Sequence, residues 1–160
     1  MSEPFVINVA DAPAMRFEGS GAYVPFEDPN DRFADFGINI HMLDPGEPNA
    51  VYHAEDNQED FLVLGGECKA IVDGEERTLK QWDFLHCPAG TEHVLVGAGK
   101  GPCWILMVGA RNPDATIHYP VNEKAAEHGA SVTEPTNDAR TAYAGWSSEF
   151  ETTRLPWPPA

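Results

Sequence analysis

The chain has 160 residues, a formal net charge of −16 at pH 7 and 42% hydrophobic residues. That length suits one hydrophobic core, because folding at this size removes about 70% of the unfolded chain's surface from water. The acidic excess would repel a phosphate backbone or an anionic membrane surface, so we expect neither nucleic acid nor a membrane as a partner. No apolar run approaches the ~18 residues that a membrane span needs.

The cysteines and the first residues predict a reducing compartment. Cys68, Cys87 and Cys103 are odd in number and include no Cys-x-x-Cys pair, which argues against both a disulfide framework and a structural zinc knuckle. Residues 1–6 show no basic start followed by a long apolar stretch, so no signal peptide is predicted. We therefore expect a cytoplasmic protein.

The first third of the chain changes from irregular to periodic. Residues 1–35 are rich in Asp, Glu, Pro and Gly, which predicts a short strand and an irregular arm. Residues 36–43 then alternate, with large apolar side chains at every even position, the period of a half-buried strand. His41 has the opposite parity, which places it at the surface, as we expect, or at the mouth of a barrel.

A series of short strands follows, separated by turns. The predicted strands cover residues 51–55, 61–64, 68–72, 77–79, 82–87, 93–96 and 104–108. Asp73-Gly74 between two of them favours a tight hairpin, because both central residues of such a turn need positive φ. Six or more short strands without an intervening helical pattern indicate an all-β antiparallel sandwich or barrel.

The last fifty residues differ in composition from the strands before them. Residues 121–128 predict a short helix, with Asn122 as its N-cap and Gly129 after its end. The remaining tail is too aromatic for a solvated linker, so either the barrel or a partner should cover its rings; they belong to Tyr143, Trp146, Phe150 and Trp157. We therefore predict one structural domain with an N-terminal arm and strand (1–35), a barrel core (36–110) and a C-terminal helix and tail (111–160).

Candidate metal ligands occur in two phrases of the sequence. The first is Gly46-(six residues)-His53-x-Glu55-x-x-x-Glu59-(six residues)-Gly66, and the second is Pro88-x-Gly90-x-x-His93. Side chains two apart on a strand point the same way, so His53 and Glu55 can share one face, with Glu59 at the same parity. Imidazole and carboxylate together suit iron, manganese, nickel or zinc. The alternative is that the acidic residues form a solvated loop.

The two phrases resemble the paired motifs of the cupin superfamily, in particular its single-domain, conserved-barrel members. The resemblance covers about residues 36–108. It implies an antiparallel double-stranded β-helix, or jelly-roll barrel, that holds one divalent transition metal (iron, manganese, nickel or zinc) and pairs as a homodimer. The implied metal ligands are His53, Glu55, Glu59 and His93.

Three positions depart from the family's pattern. Glu55 stands where the family has a second histidine, so it is a candidate ligand or a candidate catalytic general base; otherwise it accepts a hydrogen bond from a ligand imidazole or faces solvent. Trp82 replaces a usual glycine, and Gly97 stands where the second motif often ends in asparagine.

The resemblance leaves the activity open, because one fold carries many functions. We expect a metal-binding cupin that acts on a small molecule as a dioxygenase- or isomerase-like enzyme. The alternatives are a non-catalytic module that binds a small molecule and a barrel whose pocket no longer binds a metal.

Overall fold

The computed structural model describes residues 3–156, and nearly all of their regular structure is β. Those residues form twelve strands and two short helices. The strands are β1 Ala14–Phe17, β2 Gly21–Pro25, β3 Phe36–Leu43, β4 Ala54–Glu55, β5 Glu59–Gly65, β6 Glu67–Val72, β7 Glu75–Lys80, β8 Phe84–Cys87, β9 His93–Ala98, β10 Cys103–Ala110, β11 Ile117–His118 and β12 Phe150–Thr153. The helices are α1 Glu123–Ala126 and α2 Ala139–Ala142.

The strands build two facing sheets, and all their pairings are antiparallel. The larger sheet has the order β12-β1-β2-β3-β10-β5-β8, the smaller has the order β7-β6-β9, and β11 pairs with β4. The chain before β4 also joins the smaller sheet, through bridges from Pro48 to Val96 and from His53 to His93. The predicted all-β antiparallel barrel, a double-stranded β-helix, is confirmed.

The main core fills the space between the two sheets. Its buried side chains come from both sheets, and they are Leu43, Phe61, Val63, Cys68, Ala70, Cys87, Leu95, Cys103, Ile105 and Met107. On β8, Cys87 points into this core while the neighbouring His86 lies outside, with its Nδ1 2.6 Å from Asp60 Oδ1. Adjacent strand residues face opposite sides, so β8 keeps its regular alternation without a bulge at this point.

Part of the outer face of each sheet is also covered, which the strand periodicity alone did not predict. Ile40, Met42 and Trp104 lie on the outside of the larger sheet, where Val9 of the N-terminal arm and Leu155 cluster with them. On the outside of the smaller sheet, α1 and the segment after it pack against Tyr52, Ile71 and Val94. The expectation of one short strand before residue 36 is wrong, because β1 and β2 both join the larger sheet.

The C-terminal segment lies on its own barrel. Asn122 caps α1 as predicted, its side chain accepting a hydrogen bond from the Ala125 N–H at 2.9 Å, although the helix is shorter than the predicted 121–128. The tail then contributes β12, which pairs with β1, and the Tyr143 hydroxyl accepts a hydrogen bond from the Val51 N–H at 3.1 Å. Trp157 lies outside the described residues. Neither helix in residues 3–156 is long and apolar enough to cross a membrane.

Two glycines of the sequence motifs allow close backbone contacts. A Cβ on Gly66, which has φ +76°, would lie 2.2 Å from the Pro102 carbonyl oxygen, and a Cβ on Gly97 would lie 2.2 Å from the Asp44 carbonyl oxygen. No larger residue fits either position without moving a strand. This contact explains why Gly97 stands where the family often has asparagine. Trp82 adopts a left-handed φ of 74° and exposes 68% of its surface.

Candidate metal centre

Three side chains converge at one end of the barrel interior. Glu59 Oε2 lies 3.0 Å from His93 Nε2 and 3.6 Å from His53 Nε2. The three candidate ligand atoms lie within 4.8 Å of one another. Both imidazoles are buried and the Glu59 side chain is 21% exposed. The cluster is therefore mostly buried, but Glu59 keeps some contact with solvent.

The backbone holds the two histidines together. His53 and His93 exchange two hydrogen bonds, the His53 N–H donating at 3.2 Å and the His93 N–H at 2.8 Å. Glu59 reaches the same point from the larger sheet, where it begins β5 between Cys87 of β8 and Gly109 of β10. The site therefore forms only when the two sheets are correctly positioned relative to each other.

Hydrogen bonds orient both rings. His53 Nδ1 lies 2.7 Å from the Val51 carbonyl oxygen, and His93 Nδ1 lies 3.0 Å from the Thr91 carbonyl oxygen. A carbonyl only accepts, so each Nδ1 carries the proton and donates. Each Nε2 then presents a lone pair toward Glu59, an arrangement in which a second hydrogen bond fixes the tautomer of a metal-ligating histidine.

Acceptor atoms face one another at the centre of the cluster. Glu59 Oε2 and His93 Nε2 are both buried and lack a hydrogen-bond donor within the described structure. Buried polar atoms are normally paired, since an unpaired one costs about 1–3 kcal/mol. A divalent cation would satisfy all three acceptors at once, so the donor set fits a metal ion.

The pKa values of Glu59 and His53 are each shifted by the other members of the cluster. Burial raises the pKa of Glu59, but the two imidazoles, when protonated at Nε2, would donate to the carboxylate, which outweighs burial and lowers the pKa to about 2. Burial disfavours the charged form of His53, yet the adjacent Glu59 carboxylate outweighs burial and holds the pKa of His53 above its ordinary value. The carboxylate is therefore ionised at neutral pH, and the site attracts positive charge.

Glu55, the fourth predicted ligand, lies beside this cluster. Its Oε1 is 3.9 Å from His53 Nε2, its side chain is 31% exposed, and it belongs to β4. The compact set of potential ligand atoms contains His53, Glu59 and His93. Glu55 instead lines the cavity next to them.

The cluster opens into a cavity of about 740 Å³. Its walls carry polar side chains from several elements, among them Asn39, Asn49, Asn57 and Asn112, and the large apolar side chains of Phe61 and Met107. Arg32 and Arg111 also line it. Arg111 is neutralised by a close ion pair with Glu27, and Arg32 makes no ion pair among residues 3–156. The cavity is large enough for a small organic molecule.

His41 is a cavity residue that the sequence placed at the surface. Its ring stacks on Tyr23 with centroids 5.3 Å apart, and its Nδ1 is buried without a hydrogen-bond partner in the described structure. Burial lowers the pKa of His41 to about 4, so the ring is neutral at pH 7. The odd-numbered face of β3 points into the barrel. The surface assignment was wrong because the even-numbered face is covered by the N-terminal arm.

Comparisons with known proteins identify the same fold. A sequence profile described as Cupin domain matches residues 39–109. A sugar phosphate isomerase from a cupin superfamily, from Silicibacter pomeroyi, is 22% identical over 95% of this chain and 82% of its own, with a TM-score of 0.56. The polyketide cyclase RemF from Streptomyces resistomycificus is 17% identical over 71% and 84%, with a TM-score of 0.59.

A third similar structure is a protein from Acidithiobacillus ferrooxidans proposed to be a sugar phosphate isomerase. It is 20% identical, with a TM-score of 0.54 over 62% of this chain. The chain spans 65% of that protein, slightly less than two thirds. The search of curated protein sequences found no significant match. At these identities the structural matches establish the fold alone. The profile match over residues 39–109 and the barrel topology therefore identify a cupin fold.

Proposed function

We propose that this protein is a metal-dependent enzyme of dioxygenase or isomerase type that acts on a small molecule. The observation that carries the proposal is the convergence of three acceptor atoms, from His53, Glu59 and His93, on one point beside an open cavity. Two imidazoles and one carboxylate form the ligand set typical of non-haem iron(II) oxygenases. The proposed ion is iron, manganese, nickel or zinc, with iron favoured by this set.

The protein's own contribution is to hold three metal ligands in place and to leave space beside them for a substrate. The Nδ1 hydrogen bonds hold both imidazoles in the metal-binding tautomer, and the cavity supplies space for substrate on the open side of the cluster. A bound ion would supply Lewis-acid polarisation of a substrate oxygen or activation of dioxygen. The cavity's asparagines offer donors and acceptors that would orient the polar groups of a substrate.

Glu55 is the proposed general base. Its carboxylate lies beside the cluster and faces the cavity, where it would take a proton from a substrate held next to the ion. The competing role is that of a fourth ligand, for which the Glu55 carboxylate would have to join the compact set of ligand atoms from His53, Glu59 and His93.

The test of enzyme function is turnover by metal-loaded protein. Oxygen uptake and isomerisation are measured with a panel of small organic acids, phenols and sugars, including sugar phosphates and oxalate, in wild type and in His53→Ala. We expect turnover with at least one compound in wild type and none in His53→Ala. A compound that binds tightly but is never converted would instead favour the non-catalytic binding module.

The homodimer and the cytoplasmic location also stand as proposals. Exposed Trp82 and Phe84, which are 68% and 63% exposed, lie at the edge of the larger sheet formed by β8, and this edge is the proposed contact between two copies. All three cysteines are free and buried, as expected in a reducing compartment. Light scattering should give twice the chain mass of 17.5 kDa, whereas a single-chain mass would reject the dimer.

A further inference from the structure

A second, aromatic cavity adjoins the candidate metal centre. It measures about 310 Å³ and is lined by Phe17, Tyr23, His41, Tyr143 and Trp146, with Asn49 and three serines completing its walls. His41 and Asn49 also line the larger cavity that holds His53 and Glu59. The two cavities therefore meet at His41 and Asn49, and the smaller one is a side chamber of the larger.

The walls of this chamber are arranged to hold a flat ring. Three of the lining rings stack in a row, with centroids 6.1 Å apart for Phe17 and Tyr23 and 5.3 Å apart for Tyr23 and His41. Two more, Tyr143 and Trp146, form an edge-to-face pair with centroids 5.2 Å apart. Aromatic rings favour such offset-stacked and edge-to-face contacts.

The volume of the chamber also suits a ring. An apolar cavity of about 150 Å³ is enough to bind benzene. A chamber of about 310 Å³ therefore has room for one or two fused rings.

The larger cavity suits the acidic end of the same molecule. A divalent ion held by two neutral imidazoles and one carboxylate keeps a net positive charge, and such ions bind oxygen anions in their open positions. The cavity wall adds one acidic group, Glu55, and two basic groups, Arg32 and Arg111. Arg32 lines that cavity and forms no ion pair among residues 3–156. Where the two cavities meet, His41 and Asn49 add polar groups to the wall that the two cavities share.

We propose that the side chamber is a specificity pocket, and that the ligand is a ring-bearing 2-hydroxy or 2-oxo acid. Its acid end would lie at the metal centre, and its aromatic ring would lie among Phe17, Tyr23 and Trp146. The inference rests on the proposed metal function and adds the substrate class. The C-terminal segment therefore supplies one wall of the substrate site, through Tyr143 and Trp146, as well as covering the barrel.

The test compares ligands that share one chelating end. Protein is loaded with manganese(II), and metal uptake is measured first. Calorimetric titrations then compare lactate with mandelate, 3-phenyllactate and 2-hydroxy-4-phenylbutyrate, which carry the same 2-hydroxy acid and a phenyl ring at increasing distance. Burying a phenyl ring should tighten binding at least about tenfold, so we expect the best of the three to exceed lactate by that factor.

Two variants locate the ring. Trp146→Ala and Phe17→Ala each remove one aromatic wall of the chamber, from different parts of the chain. Each should reduce the preference for the phenyl acid to less than threefold. Phe5→Ala is the matched control, because Phe5 is 52% exposed and lies outside both cavities, and it should leave the preference unchanged. The thermal unfolding midpoint and metal content of each variant verify that it folds and keeps the ion.

The outcomes separate the two proposals. If the protein takes up no manganese, the proposed metal function fails, and the present inference fails with it. If it takes up manganese but none of the phenyl acids exceeds lactate by more than threefold, the metal function stands and the side chamber is not a ring pocket. A preference that survives both chamber variants would likewise overturn the inference.

Discussion

Glu55 and Glu59 lie four residues apart and line the same cavity, but their surroundings differ. Glu59 Oε2 is within 3.6 Å of both imidazole Nε2 atoms and is buried. Glu55 approaches only His53, at 3.9 Å, and is partly exposed. The same residue type at these two positions should therefore differ in its importance for metal binding.

Glu59→Gln and Glu55→Gln form a matched pair that tests this difference. A lost interaction that only orients a ligand costs about 10–100-fold in metal affinity, so a lost ligand should cost at least about 100-fold. We expect Glu59→Gln to weaken metal binding by that amount and Glu55→Gln to change it less than tenfold, while abolishing turnover. Competition with a metal-sensitive dye measures both affinities. Equal losses would make Glu55 a ligand and reject its role as a base.

At the scale of elements, an ion pair fastens the connection between β2 and β3 to the end of β10. Arg111 Nη1 donates to Glu27 Oε2 at 2.8 Å and to the Phe33 carbonyl oxygen at 2.5 Å. The Glu27 side chain is 13% exposed, and its hydrogen bond with Arg111 lowers the pKa of the carboxyl. Because Arg111 lines the larger cavity, this pair also positions the cavity rim.

The lowered pKa of Glu27 predicts a pH dependence of stability. A carboxyl whose pKa is lower in the folded state stabilises the fold above its unfolded pKa of about 4.5, and this contribution is lost as pH falls through the folded pKa. Glu27→Gln should therefore cost about 1–2 kcal/mol at pH 7 and progressively less below pH 4.5. Urea unfolding of both proteins across pH 3–7 measures this difference. A difference that stays constant over that range would exclude the ion pair as its source.

The contact between β9 and the end of β3 depends on the absence of a side chain at Gly97. A Cβ there would lie 2.2 Å from the Asp44 carbonyl oxygen and 2.9 Å from that of Leu43. Gly97→Ala should therefore destabilise the fold by about 2–3 kcal/mol, as overpacking does in a closely packed core. The unfolding midpoint in urea measures the effect.

Gly101→Ala is the control for this substitution. It lies in the same connecting region, but a Cβ on Gly101 would meet no atom within 4 Å. Its effect should stay within about 0.5 kcal/mol, as for ordinary surface substitutions. Similar losses in the two variants would mean that glycine is required here for backbone flexibility rather than for close approach.

At the scale of the whole molecule, the sequence predicted the barrel because local signals repeat along it. Alternation, turn dipeptides and the two motif phrases are all short-range patterns, and they marked the strand series and the residues His53, Glu55, Glu59 and His93. The structure brings three of those side chains, His53, Glu59 and His93, to one point. The sequence could not predict which face of β3 points inward. The apolar face packs against the N-terminal arm, and the more polar face lines the cavity.

Contacts between segments that lie far apart in the chain could not be predicted from the sequence either. The two-residue pairing of β4 with β11 joins Glu55 to Ile117, and neither short strand has a periodicity of its own. The aromatic side chamber requires Phe17, Tyr23 and Trp146 to meet across more than 120 positions of the chain. Such contacts depend on how the terminal segments pack on the barrel, which alternation within single strands does not encode.

The central claim is that His53, Glu59 and His93 hold one divalent transition metal. The most direct test is elemental analysis of protein purified anaerobically, without chelators or metal-affinity columns, in wild type, His53→Ala and His93→Ala. We expect close to one ion of iron, manganese, nickel or zinc per chain in wild type and little in either variant, because each removes one of three ligands. A metal-free wild type, or variants that keep the wild-type metal content, would contradict the claim.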